Sequence, residues 1–108
     1  MGFYNVLKIR TKCSNCNNEV LLNLQFYFGH TRMLEYNIGD KIAWGGNDRG
    51  QMNCKKVALL TFSEGCPICN FEDNYLVYLE KDRIISAEKF TGQFDFSNND
   101  DYFNVVEE

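Results

Sequence analysis

The sequence predicts a mostly β domain: an antiparallel sheet with two CxxC knuckles, a long β insertion between them and an acidic C-terminal tail. Three observations carry that prediction. Segment 19–28, EVLLNLQFYF, puts Val20, Leu22, Leu24, Phe26 and Phe28 on one face and Asn23, Gln25 and Tyr27 on the other, the period of two that a half-buried strand requires. No stretch shows the 3.6-residue apolar period of a strongly amphipathic helix. Finally, Cys13-x2-Cys16 and Cys66-x2-Cys69 each follow one segment of strand character and precede another, where a tight turn belongs.

Taken in order, FYNVLKIR (3–10) is rich in β-branched and aromatic residues and runs straight into TKCSNC. After the alternating strand 19–28, Gly29-His30 breaks the run. MLEYNIGDKIAW (33–44) predicts short extended pieces around a Gly39-Asp40 turn, and GGNDRG (45–50) has the composition of a loop. KKVALLTF (55–62) is a short apolar run leading into SEGCPIC. NYLVYLE (74–80) alternates Tyr75, Val77 and Leu79 against Leu76 and Tyr78, and Lys81-Asp82 then fits a tight hairpin turn into IISAEKF (84–90). These elements predict one domain over residues 1–91. The tail, 92–108, is acidic but keeps Phe94, Phe96, Tyr102, Phe103, Val105 and Val106, so some of its aromatics are expected to dock.

The cysteines point to a metal. Two C-x2-C turns brought face to face make the closed, tetrahedral four-cysteine site of a zinc ribbon, which assigns Cys13, Cys16, Cys66 and Cys69 as ligands of one structural Zn²⁺. The residue after the second cysteine of a knuckle must tolerate a left-handed backbone; here it is Asn17 and Asn70, the type next most tolerant after glycine. Pro67, the only proline, presets φ inside the second turn. The 49 residues between the pairs exceed the roughly 15–20 of a short ribbon, so the intervening segment is expected to be inserted β structure. Cys54 reads as a small buried hydrophobe or, alternatively, as a spare ligand or reactive thiol. His30, the only histidine, reads as a turn or surface residue.

Composition narrows the function. No run approaches the ~18–20 apolar residues of a membrane span, and MGFYNVLKIR lacks the pattern of a secretory signal, so the expected location is the cytoplasm, where paired cysteines more often hold metal than form disulfides. The net charge of −4 disfavours a broad grip on nucleic acid. The tail alone contributes −5 through Asp95, Asp100, Asp101, Glu107 and Glu108. One histidine with no carboxylate or hydroxyl constellation offers little for acid–base or nucleophilic catalysis, and four thiolates leave a zinc no open position for water. VALLTFSEGCPICNF also has the look of a thioredoxin-like strand and CPxC, with a helix starting at Cys66. That fold needs a second proline, in cis, and a further helix and hairpin, whereas only 39 residues follow Cys69. Other candidate contacts are Trp44 and Arg49 in the glycine-rich loop and a small basic patch containing Lys55 and Lys56, with Arg10 and Lys12 near the first knuckle.

Over residues 3–90 the chain resembles small bacterial zinc-ribbon proteins of unknown function, in which a strand like FYNVLKIRTKCSNC enters the first knuckle, a strand like LLNLQFYF and a YNIGDKI stretch follow, and a CPxC knuckle leads to a final hairpin. The resemblance implies the same four cysteine ligands and no activity. The combined expectation is a non-enzymatic protein-interaction module, with a nucleic-acid binder, an acidic immunity-type inhibitor and a thiol oxidoreductase as alternatives in descending order.

Overall fold

A computed structural model describes residues 4–46, 48–52, 54–97 and 102–107. Gly2, Phe3, Asn47 and the tail residues Asp100, Asp101 and Glu108, all used in the sequence reading, lie outside them. The described residues form nine strands and no helix: β1 (Asn5–Lys12), β2 (Glu19–Phe26), β3 (Gly29–His30), β4 (Glu35–Tyr36), β5 (Asp48–Arg49), β6 (Lys56–Ser63), β7 (Asn74–Glu80), β8 (Arg83–Lys89) and β9 (Phe103–Glu107). The main sheet runs β4-β1-β2-β6-β7-β8, with β9 also on β6. A separate ribbon pairs β3 with β5.

Two long hairpins make the frame. β1 and β2 pair antiparallel over eight positions from Asn5↔Phe26 to Lys12↔Glu19. β6 and β7 pair antiparallel over six, from Val57↔Leu79 to Phe62↔Asn74. Their mutual ladder is short, Leu24↔Ser63 and Gln25↔Phe62 only. One further backbone bond, Glu64 N–H to Asn23 O (3.0 Å), continues this contact toward the two CxxC turns.

The alternation read in the sequence is the alternation of burial. Val20, Leu22, Leu24, Phe26 and Phe28 all enter the core, joined by Leu7 and Ile9 of β1 and Val57, Leu59, Tyr75, Val77 and Leu79 of β6 and β7. The second faces of β6 and β7 are covered as well: Ala58 and Leu76 lie under Phe96, with Phe90 and Phe94 packed alongside. Strands buried on both sides need apolar residues at successive positions, which is why VALL and YLVYL run without strict alternation of polarity. The tail supplies that second cover, and β9 adds to β6 through Val57↔Val105 and Leu59↔Phe103.

Turns follow backbone chemistry. Lys81 and Asp82 both have positive φ (50° and 64°), as a two-residue type I′ hairpin demands. The glycine-rich segment differs from the loop expectation: Asp48 Oδ1 accepts the N–H groups of Gly45 and Gly46, which sets Asp48-Arg49 to pair with Gly29-His30 as a short ribbon. Gly29 itself has φ of 82° and leaves no room for a Cβ against Ile42, so only glycine turns the chain there. Segment 37–42 then crosses to the far edge of the sheet, where Gly39 N–H donates to Ile84 and Ile84 N–H to Asp40. This crossing curls the sheet, bringing β8 round toward β1.

Candidate metal centre

Each hairpin ends in a knuckle, and the two knuckles are built alike. Cys13 N–H donates to Asn18 O (2.9 Å) and Asn17 N–H to Cys13 O (2.9 Å); the second knuckle repeats this with Cys66 to Phe71 (3.0 Å) and Asn70 to Cys66 (2.9 Å). Asn17 and Asn70 take φ of 65° and 63°, the left-handed conformation expected of them. A further N–H in each turn points at the leading sulfur, Asn15 at Cys13 Sγ and Ile68 at Cys66 Sγ, both 3.4 Å.

This construction places four sulfurs together. Cys13 and Cys69 Sγ are 3.7 Å apart, Cys16 and Cys66 Sγ are 3.7 Å apart, and all four lie within 4.8 Å of one another. A tetrahedral ion with bonds of about 2.3 Å would hold its sulfurs about 3.8 Å apart, so the donor set fits a four-thiolate site. Both 3.7 Å contacts run across the knuckles. Cys13 and Cys66 are buried, whereas Cys16 and Cys69 are half-buried.

The thiols differ in acidity. Cys69 is drawn down to about 6 because the Asn15 side-chain amide (3.4 Å) and the Phe71 N–H donate to its sulfur and favour the thiolate. Cys16 is lowered by the Asn18 N–H and then its side chain. At Cys66 the Cys69 N–H pulls downward, but burial and the neighbouring Cys16 and Cys69 thiols outweigh it and push the thiol up. Metal binding needs all four as thiolates, and the donors aimed at sulfur favour that state.

Beside the cluster, Ser14 Oγ donates to Asp73 Oδ2 (3.2 Å) and Lys89 Nζ lies 3.3 Å from the same oxygen, tying the first knuckle, the segment after the second and β8 together. The sequence offered no signal for this trio, since Ser14, Asp73 and Lys89 meet only after the sheet curls. It offered a weak one for Asn15, an amide between two cysteines. Cys54 lies outside the cluster, buried in the core with its thiol 3.8 Å from Gln51 O. His30 stands in β3 with Nδ1 3.9 Å from Asp48, away from the sulfurs.

The other candidate contacts each have their own local packing. Trp44 is half-buried with its ring edge-on to Phe28 (5.3 Å). Arg49 lies 5.9 Å over the Tyr27 ring, and Lys56 lies 5.4 Å over Tyr78 on the side the tail covers. Lys55 is exposed. No helix among the described residues is long and apolar enough to cross a membrane, and residues 74–80 after the CPIC turn form a strand where a thioredoxin-like site would need a helix. Comparison of the chain with protein-family models, with curated proteins and with solved structures finds no match.

Proposed function

We propose that the protein is a non-enzymatic, zinc-ribbon-like interaction module in which one structural Zn²⁺, held by Cys13, Cys16, Cys66 and Cys69, locks two hairpins into a single docking frame. The observation that carries this reading is the four-sulfur cluster at the tips of the two hairpins. Where β2 and β6 share only two paired positions, a tetrathiolate site links the same two hairpins at their tips. Bound there, the ion would supply cross-linking energy that a short ladder cannot, and a closed set of four thiolates suits a structural role better than a catalytic one. The sequence holds a single histidine, and the reading we favour is recognition of another macromolecule. The net charge favours a protein partner over nucleic acid.

The test is native mass spectrometry of protein purified without added metal, beside Cys66→Ser. One zinc per chain, lost together with the fold in the variant, is the expected result. A metal-free chain with two hydrogens missing at Cys66 and Cys69 would replace the zinc reading with a redox dithiol. The gathering of all four sulfurs within 4.8 Å, with contacts across the knuckles, supports the first outcome.

A further inference from the structure

The curled sheet does not close. Beyond the short β4 pairing, the rest of β1 is separated from the edge strand β8 by a cleft of about 460 Å³, on the scale of a ligand site. One end is bounded by the crossing at Asn37 and Ile38 and the other by Ser14, with its bond to Asp73. Both flanking strands run the same way, because the intervening ladders β1-β2, β2-β6, β6-β7 and β7-β8 are all antiparallel.

Backbone groups on both flanks face this gap. Val6 donates outward, away from β2, to Leu34 O; by the alternation of a strand, Arg10 and Lys12 also turn their N–H groups outward, beyond the last β4 pairing at Leu7↔Tyr36. On the other side Phe90 N–H points inward to Asn74 O, so Ala87 and Lys89 present theirs to the gap. Among the described residues no strand pairs with either stretch. The cleft also has the two-sided character of a missing strand: by strand alternation Ile9, Thr11, Tyr75, Ala87 and Lys89 share its inner side, and Lys8, Arg10 and Lys12 share its outer rim, where Glu88 is the only acid among the lining residues. Lys8 is paired with Glu35 and Lys89 with Asp73, but Arg10 and Lys12 have no ion pair among the described residues. A rim of three cations against one acid stands out on a chain of net charge −4.

We propose that this cleft receives an extended acidic segment of a partner protein as an added strand, antiparallel to both β1 and β8, with small apolar side chains inward and carboxylates toward Arg10 and Lys12. The proposal rests on the interaction-module reading and deepens it by naming the surface and the partner's chemistry. About three or four residues would lie within the slot, since the open stretches Arg10–Lys12 and Ala87–Lys89 each extend about 10 Å at the rise of a strand. Main-chain bonds to two edges at once would give affinity, and the alternating floor and rim would set specificity. The paired edges favour a peptide over nucleic acid, which has no strand backbone to complete the ladders.

The probe is a capped eight-residue peptide alternating glutamate with valine, titrated into the metal-loaded full chain by amide NMR with hydrogen exchange. The expected result is protection of the Arg10, Lys12, Ala87 and Lys89 amides. Affinity should fall more than ten-fold when every second peptide nitrogen is methylated, when lysine replaces glutamate, and in Arg10→Glu/Lys12→Glu protein whose spectrum and zinc content match the parent. No binding at millimolar peptide, equal affinity for the N-methylated copy, or equal competition by an oligothymidylate without amide protection would each overturn the strand-accepting cleft. If Lys55→Glu/Lys56→Glu weakens binding while the Arg10/Lys12 variant does not, the cleft is rejected and the module reading survives. Zinc counted in the same samples tests that reading separately.

Discussion

The two knuckles have the same backbone and different surroundings. Cys13 to Asn18 and Cys66 to Phe71 share the same N–H to carbonyl bonds, the same N–H to sulfur contact and left-handed asparagines within two degrees of each other. Their variable positions diverge. Where the first knuckle has Ser14 and Asn15, bonded to Asp73 and to the Cys69 sulfur, the second has Pro67 and Ile68, the latter 60% exposed. Backbone geometry is thus set by the cysteines and asparagines, while the intervening pair decides what each knuckle touches. One knuckle reaches across and braces the other; its counterpart turns an apolar tip outward.

The largest effect should be blind to this difference. If the proposed zinc is held by all four sulfurs, Cys13→Ser and Cys66→Ser each remove a ligand of the same site, and each should cost a large part of the binding energy, on the order of 10 kcal/mol, enough to unfold the domain. Circular dichroism and metal content measured together would check this. Cys54→Ala, in the core but outside the cluster, should keep its metal and cost about 1–2 kcal/mol. A knuckle cysteine whose loss leaves a folded, metal-bearing protein would break the symmetry.

Next come the asparagines. Both are exposed, so substitution reads backbone strain more than lost packing. Asn17→Ala and Asn70→Ala should each destabilise by about 1 kcal/mol, and Asn17→Gly and Asn70→Gly should restore or exceed the parent stability in thermal melts. Unequal losses at the two positions would show that the knuckles are not equivalent in backbone.

The legible parts of this molecule were those whose cause is local. C-x2-C followed by asparagine encodes a knuckle within six residues, and Lys81-Asp82 encodes a turn by spacing alone. Strands β2 and β7 could be read because a period of two is visible without knowing the partner. What stayed hidden depends on distant residues meeting. Asn5 is fully buried in a strand that reads as apolar, and its side chain donates to Phe28 O and His30 O and accepts from Arg32 and Leu34 N–H. Nothing within ten residues announces those bonds. The docking of β9 on β6 and the cleft between β1 and β8 likewise depend on how the sheet curls.

Asymmetry should appear in the pH dependence of metal retention. Acid releases a thiolate-bound metal by protonating sulfur, so a thiol drawn down to about 6, as at Cys69, resists release further into the acid range than an ordinary thiol. Asn15 is the first cause of that lowering. Asn15→Ala should therefore raise the pH at which half the metal is lost, whereas Ile68→Ala, at the matching position with no side-chain donor, should leave it unchanged. Titration with a chromogenic chelator would read both midpoints. Equal midpoints would mean that the bonded amide contributes nothing once metal is bound.

The smallest effect is the exchange of Ser14 and Pro67. The knuckles share their backbone bonds, so Ser14 should tolerate proline as Pro67 does, and Ser14 N–H makes none of the knuckle's hydrogen bonds. Proline at a compatible position stabilises by about 0.4–1 kcal/mol through the unfolded chain. Against this stands the exposed Ser14 to Asp73 bond, a neutral donor to a carboxylate at the surface, whose net contribution is about 0.5–1 kcal/mol. Ser14→Pro should therefore lie close to zero in denaturant melts, while Pro67→Ala, which loses the restriction and gains no bond, should fall by about 0.5 kcal/mol. Placed on an Asp73→Asn background, where the carboxylate's pull on Ser14 and Lys89 is already weakened, Ser14→Pro should become stabilising. A loss there instead would show that the first knuckle needs its serine for a backbone shape the second does not share.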